Sequence, residues 1–273
     1  MIPAISQVCS LHSPFHQDLA DYAAGAARDI EFWLGKLETH LERRSLTETQ
    51  ALLQELDVRP VAASFQGGLL HTQGEARREH WAHFERRLEL CRSLGVPVLI
   101  VACDVVGPLG TQDLERVSVS LAQAAAQAGE RGVKLALEFQ AASTFGNNLQ
   151  TAAFLVEQTG HPSLGLCLDY FHFYRGPSKH EDLGLLSAAN LFHVQVSDLA
   201  GTPREMAGDS DRILPGEGDF DFAPLLERLR QIDYRGAVSL EILNPQIWAV
   251  PPRSLGEVGI TCLRRLLGQA RME

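Results

Sequence analysis

With 273 residues, the chain is too long for one small domain and well matched to one large α/β domain that buries its core without disulfides. Its 24 Lys and Arg against 34 Asp and Glu leave a net charge of −10, which argues against nucleic acid or an anionic membrane as partner but allows a local basic pocket for a small anion. Five cysteines, widely spaced and without a C-x-x-C pair, exclude a zinc ribbon or a disulfide scaffold and point to the reducing cytoplasm.

The first residues lack a basic region followed by a long apolar one, so no secretory signal is expected. Apolar or β-branched runs then recur at 2–8, 29–33, 60–65, 97–103, 133–139, 164–168, 191–196 and 237–242, and each predicts a strand. Segments with apolar residues three or four apart separate them. Ser45 and Glu48 fit a capping box ahead of the helix that contains Leu52 and Leu56. Further along, Trp81, Phe84, Leu88 and Cys91 share a helical face, as do Val117, Leu121, Ala124 and Ala128. Phe222, Leu225, Leu226, Leu229 and Ile232 form a later stripe, and the last helix is expected to bury Leu255, Val258, Cys262 and Leu266. The most apolar segment, 96–103, is far too short to cross a bilayer.

Strands alternating with helices pair in parallel through crossovers. Eight such units match the size of a (β/α)8 TIM barrel, expected here as a single domain over 1–273. An open doubly wound sheet is the alternative, but no glycine-rich phosphate loop follows the first strand.

Polar residues gather at the ends of the last four strands. Glu138 ends one apolar run, Asp169 the next, Gln195 lies late in the third, and Glu241 in the fourth. Each alone reads equally well as a loop or capping residue. In a barrel, however, the C-terminal strand ends converge on one mouth, where three carboxylates would repel one another unless a cation sat among them. The four therefore predict a site for one divalent metal ion. Their all-oxygen donor set favours Mn²⁺ or Mg²⁺ over Zn²⁺ or Co²⁺. His193, two residues before Gln195, is expected one layer deeper on the same strand face, packed or supporting its neighbours. His172, three residues after Asp169, is placed to hold substrate or move a proton. Arg212, in a loop that continues as Pro215-Gly216-Glu217-Gly218-Asp219, reads either as part of a turn or as a grip on a substrate oxygen. Trp33 and Gln66, each at a strand end, are candidates to line a substrate pocket. Cys167 is expected as a small filler. Segment 202–211 is a candidate lid.

These motifs resemble the xylose-isomerase-like TIM-barrel superfamily, most clearly over 135–252. There LEF, GLCLDYFHFY, FHVQVSD, DRILPGEGDFDF and YRGAVSLEILNP follow the family's order and spacing. The pattern is similar to that of inosose isomerases. The resemblance implies Glu138, Asp169 and Glu241 as metal ligands, with the family's histidine falling at Gln195. A glutamine there also resembles the 3-dehydroshikimate dehydratases of the same superfamily. Endonuclease-IV-type function fits poorly, because such sites are histidine-rich.

The chemistry expected is proton transfer next to the carbonyl of a small polyhydroxylated substrate, with the metal stabilising an enediolate. One of Glu138 and Glu241 removes the carbon-bound proton and the other returns it, giving a sugar isomerase or epimerase. His172 and Arg212 orient substrate oxygens. A lyase that expels a β-hydroxyl shares the first step, with His172 as the acid. A non-catalytic sugar-binding barrel is the third reading. Barrel enzymes commonly associate as homo-oligomers through outer helices, and no residue marks such an interface.

Overall fold

The computed structural model describes residues 1–269. Among them, eight strands hydrogen-bond in chain order into a closed barrel: β1 (Ile2–Ser6), β2 (Asp29–Trp33), β3 (Arg59–Gln66), β4 (Val98–Cys103), β5 (Lys134–Phe139), β6 (Leu164–Asp169), β7 (Leu191–Val196) and β8 (Ala237–Leu240). The helices are α1 (Phe15–Ala24), α2 (Leu34–Leu41), α3 (Leu46–Glu55), α4 (Gly74–Leu94), α5 (Thr111–Glu130), α6 (Leu149–Thr159), α7 (Tyr170–Arg175), α8 (Ala223–Gln231), α9 (Pro245–Trp248) and α10 (Pro252–Leu266). Pairing is parallel, as in β4 on β5 and β8 on β1, so the architecture is the expected (β/α)8 TIM barrel. Every expected strand is present, with ends shifted by two residues at most. Two-residue shifts occur at the first and last strands; after Ser6 the chain turns into a 3₁₀ helix, Gln7–Ser10, with the Ser6 hydroxyl accepting from the Val8 amide. No helix among the described residues is long and apolar enough to cross a membrane.

By packing, the residues fall into two compact units. One comprises Met1–Ala62, Val194–Phe222 and the chain from Arg235 onward; the other comprises Ala63–His193 and Ala223–Tyr234.

In the second unit, β5 and β6 are buried on both faces, which explains why they read as near-continuous apolar runs. Their side chains nevertheless divide by size. Leu135 and Leu137 alternate with Ala136 and Glu138, and Leu164, Leu166 and Leu168 alternate with Gly165, Cys167 and Asp169. The register sets Ala136 beside Gly165 and Glu138 beside Cys167. One face is thus small, and both acids stand on it near the strand ends. Helices α4 and α5 bury the expected stripes.

In the first unit, the register sets Gln195 beside Ser239, Ser239 beside Ala4, and Ser6 beside Glu31. These side chains are all fully buried. Helix α3 begins at the predicted capping box, with Ser45 and Glu48 bonding each other's backbone amides.

The stripe of α10 differs from the expected one. Leu255, Gly256, Gly259, Ile260 and Leu263 are buried, whereas Val258 is exposed and Cys262 and Leu266 are only half-buried. The reason is the glycine pair. A Cβ on Gly259 would lie 2.7 Å from Leu240 Cδ2, and one on Gly256 would lie 3.3 Å from the Tyr22 backbone. The helix lies on its glycines, and a count of apolar side chains passes over them.

Candidate functional site

In the second unit, β6 runs directly into α7, and Asp169 makes the junction. Its Oδ1 accepts from the Phe171 amide at 2.8 Å and caps the helix, while Oδ2 faces His172 Nε2 at 3.6 Å. One helical turn thus places His172 over Asp169. The stacked rings of Tyr170 and Phe173, 5.3 Å apart, and the edge contact of Phe171 with His172 fix that short helix. Glu138, from β5, completes the group: ligand atoms of Glu138, Asp169 and His172 all lie within 4.8 Å of one another, and all three residues are buried. Two carboxylates and an imidazole form an oxygen and nitrogen donor set that suits a divalent transition metal, so the residues present fit such an ion. His172, read from sequence as a substrate residue, belongs to this cluster.

In the first unit, Gln195 sits between two acids. Its Nε2 donates to Glu31 Oε1 at 2.9 Å and to Glu241 Oε1 at 2.8 Å. The other oxygen of Glu241 accepts from Arg212 Nη1 at 3.2 Å. Arg212 is almost fully buried; it also donates to Asp209 Oδ1 through Nε and Nη2, at 3.1 and 2.9 Å, and Asn244 Nδ2 donates to its carbonyl at 3.0 Å. Its guanidinium therefore serves two carboxylates of the protein. The following turn is organised by Asp198, whose carboxylate accepts from the amides of Leu199, Gly216, Gly218 and Phe220. A Cβ on Gly218 would lie 2.4 Å from Asp198 Oδ1, so the glycine there is required. Segment 202–211 contains a short 3₁₀ turn, Asp209–Asp211, and leaves Met206 exposed.

Two features were not read from the sequence. Glu31 lies between Ile30 and Phe32 on β2, which begins with a second acid, Asp29. Its only signal was the carboxylate itself on the alternating face. The second is a buried network after β1. Lys36 Nζ donates to Asp18 Oδ2 at 2.6 Å and to the carbonyls of Gln7 and Ser10 at 3.0 and 2.6 Å. Burial pushes the Lys36 amine down and the Asp18 carboxyl up, and each opposes the shift in the other.

The remaining candidates are placed as follows. Trp33 ends β2, donates its backbone amide to Gln7 Oε1, and lines a cavity of about 730 Å³ with residues of the segments after β1 and β2. Gln66 donates to the Gly67 carbonyl at 2.7 Å and accepts from Arg87 at 3.2 Å. His193 and Cys167 are both fully buried.

A family described as "Xylose isomerase-like TIM barrel" matches residues 20–266, and the chain belongs to it. An inosose isomerase of Halalkalibacterium halodurans is 27% identical over 227 residues, covering 79% of this chain and 77% of that protein. A 3-dehydroshikimate dehydratase of Pseudomonas putida is 30% identical over 191 residues, covering 69% of this chain but only 30% of its own length. Among solved structures, an IolI protein with a bound zinc atom superposes with a TM-score of 0.92 at 23% identity, each chain covered to 98%, and so shares the fold.

Proposed function

We propose that the protein is a divalent-metal-dependent isomerase or epimerase of a sugar, sugar phosphate or inosose. The observation that carries this reading is the buried Glu138, Asp169 and His172 cluster in a chain of this family. The identity to inosose isomerases over most of both lengths supports the substrate class. Glu138 and Asp169 would hold the ion, with His172 beside them. When bound, the ion supplies Lewis acidity to the substrate's carbonyl. His172 adds a nitrogen beside the ligands, so zinc and cobalt compete with manganese and magnesium.

The chain's own groups move the proton. Glu138 and Glu241 come from different strands, so one removes the proton next to the carbonyl and the other returns it. Gln195 and Arg212 between them engage both oxygens of Glu241, which fixes its direction. His172 orients a substrate hydroxyl.

The 30% identity to a 3-dehydroshikimate dehydratase favours a second reading, in which the same proton abstraction is followed by loss of a β-hydroxyl. His172 then donates the proton to the departing oxygen. A panel of ketoses, inososes and 3-dehydroshikimate incubated in D₂O separates the two. Deuterium in recovered ketose or inosose is the expected result. A new ultraviolet absorbance from an aromatic product supports the dehydratase, and neither change points to a sugar-binding barrel.

A further inference from the structure

We propose that the cavity formed after β1 and β2 is an oxyanion subsite, which holds a phosphate or carboxylate group of the enzyme's substrate. The inference rests on the enzymatic reading above and adds the charge of the substrate to it.

The cavity, of about 730 Å³, lies in the size range of small-molecule sites. Its walls are the segment between the first 3₁₀ helix and α1 together with the end of β2 and α2. Strands β1 and β2 are paired in parallel, so both segments leave from neighbouring C-terminal strand ends. The lining includes His12, His16, His40, Arg43 and Arg44, and no Asp or Glu. That composition runs against the chain's bias, since acids outnumber Lys and Arg by 34 to 24. The nearby acid Asp18 is bound by the Lys36 ammonium at 2.6 Å and by the Ser10 hydroxyl at 2.8 Å, so its charge is compensated from within. Glu48 meets Arg44 at 3.3 Å, an exposed pair that an incoming oxyanion can outcompete.

The imidazoles add donors. The rings of His16 and His40 lie 5.9 Å apart and nearly parallel, inclined by 32°. His40 Nε2 is buried and has no hydrogen-bond partner among the described residues. Burial lowers the proton affinity of His40, and His16 and Arg44 lower it further against the smaller opposing pull of Glu48. Two arginines thus stand at one wall beside imidazoles that can donate to a bound oxyanion.

Trp33 links this cavity to the reacting groups. It lines the cavity and stands two residues beyond Glu31, on the same face of β2. Glu31 in turn shares Gln195 with Glu241. Glu241 and the cavity are thus joined through Gln195, Glu31 and Trp33.

The test is calorimetric titration of the metal-loaded protein with inorganic phosphate and, separately, with malonate at low ionic strength. It is repeated on Arg43→Gln/Arg44→Gln and on His40→Gln. Saturable binding of one probe is expected, weakened at least tenfold in the double variant and several-fold in the histidine variant, with metal content unchanged. Phosphate binding alone marks a phosphorylated substrate, and malonate binding alone a carboxylated one. Equal binding to wild type and both variants, or no saturable binding of either probe, overturns the proposal. The exposed arginines leave the fold intact, and the histidine variant tests the same wall from a second position. Because binding is read without turnover, an oxyanion that binds to a protein inert in the D₂O panel, with ketose phosphates added to that panel, refutes the enzymatic reading and leaves the subsite standing. Deuterium exchange without oxyanion binding refutes the subsite alone.

Discussion

Glu241 has a donor on each carboxylate oxygen: Gln195 Nε2 at 2.8 Å and Arg212 Nη1 at 3.2 Å. A base held this way keeps its direction through the reaction, but it also depends on both neighbours. Arg212→Met should lower kcat about 10- to 100-fold with little change in KM as Glu241 loses one of its two donors. Arg212→Lys should restore part of the rate. The sequence exposed Glu138, Asp169, Gln195 and Glu241 because each interrupts or ends an apolar run. It hid Glu31, which lies in the middle of a five-residue strand and not at its end, where the other acids stood out. Arg212 carried the opposite ambiguity, since the same guanidinium can serve a substrate or two carboxylates of the protein. Only the positions of Asp209 and Glu241 decide that.

Lys36 joins three elements at once, reaching from α2 to Asp18 on α1 and to the carbonyls of Gln7 and Ser10 in the 3₁₀ helix after β1. Removing one partner strands a buried charge, so Lys36→Met should destabilise the protein by about 3–5 kcal/mol in urea unfolding. Asp18→Leu added to that variant should recover part of the loss, because both charges are then gone. The pairing was illegible in sequence because it spans two elements and 18 residues. Helix α10 shows the same limit in another form. Its packing face contains Gly256 and Gly259, so Gly259→Leu should cost about 1–3 kcal/mol by forcing the helix off Leu240. An unchanged denaturation midpoint would contradict that packing. Periodicity located the helix correctly, and the missing side chains set its rotation.

Across the whole molecule, the alternation of eight apolar runs with amphipathic segments was enough to define the closed parallel barrel, since no other topology accommodates that rhythm so simply. The acidic excess takes on a use at this scale. Some of the 34 acids are the groups proposed to hold a cation and move a proton, while the cavity after β1 and β2 is lined without any.

The proposed proton exchange depends on a metal ion that Glu138 and Asp169 would hold. Its most direct measurement is deuterium incorporation from D₂O into the turned-over substrate, followed as metal is removed by chelation and then restored. Exchange should fall at least a hundredfold on chelation, return with about one divalent ion per chain, and remain lost in Asp169→Asn, whose metal content should drop in parallel. Undiminished exchange in a folded, metal-free protein would contradict the account.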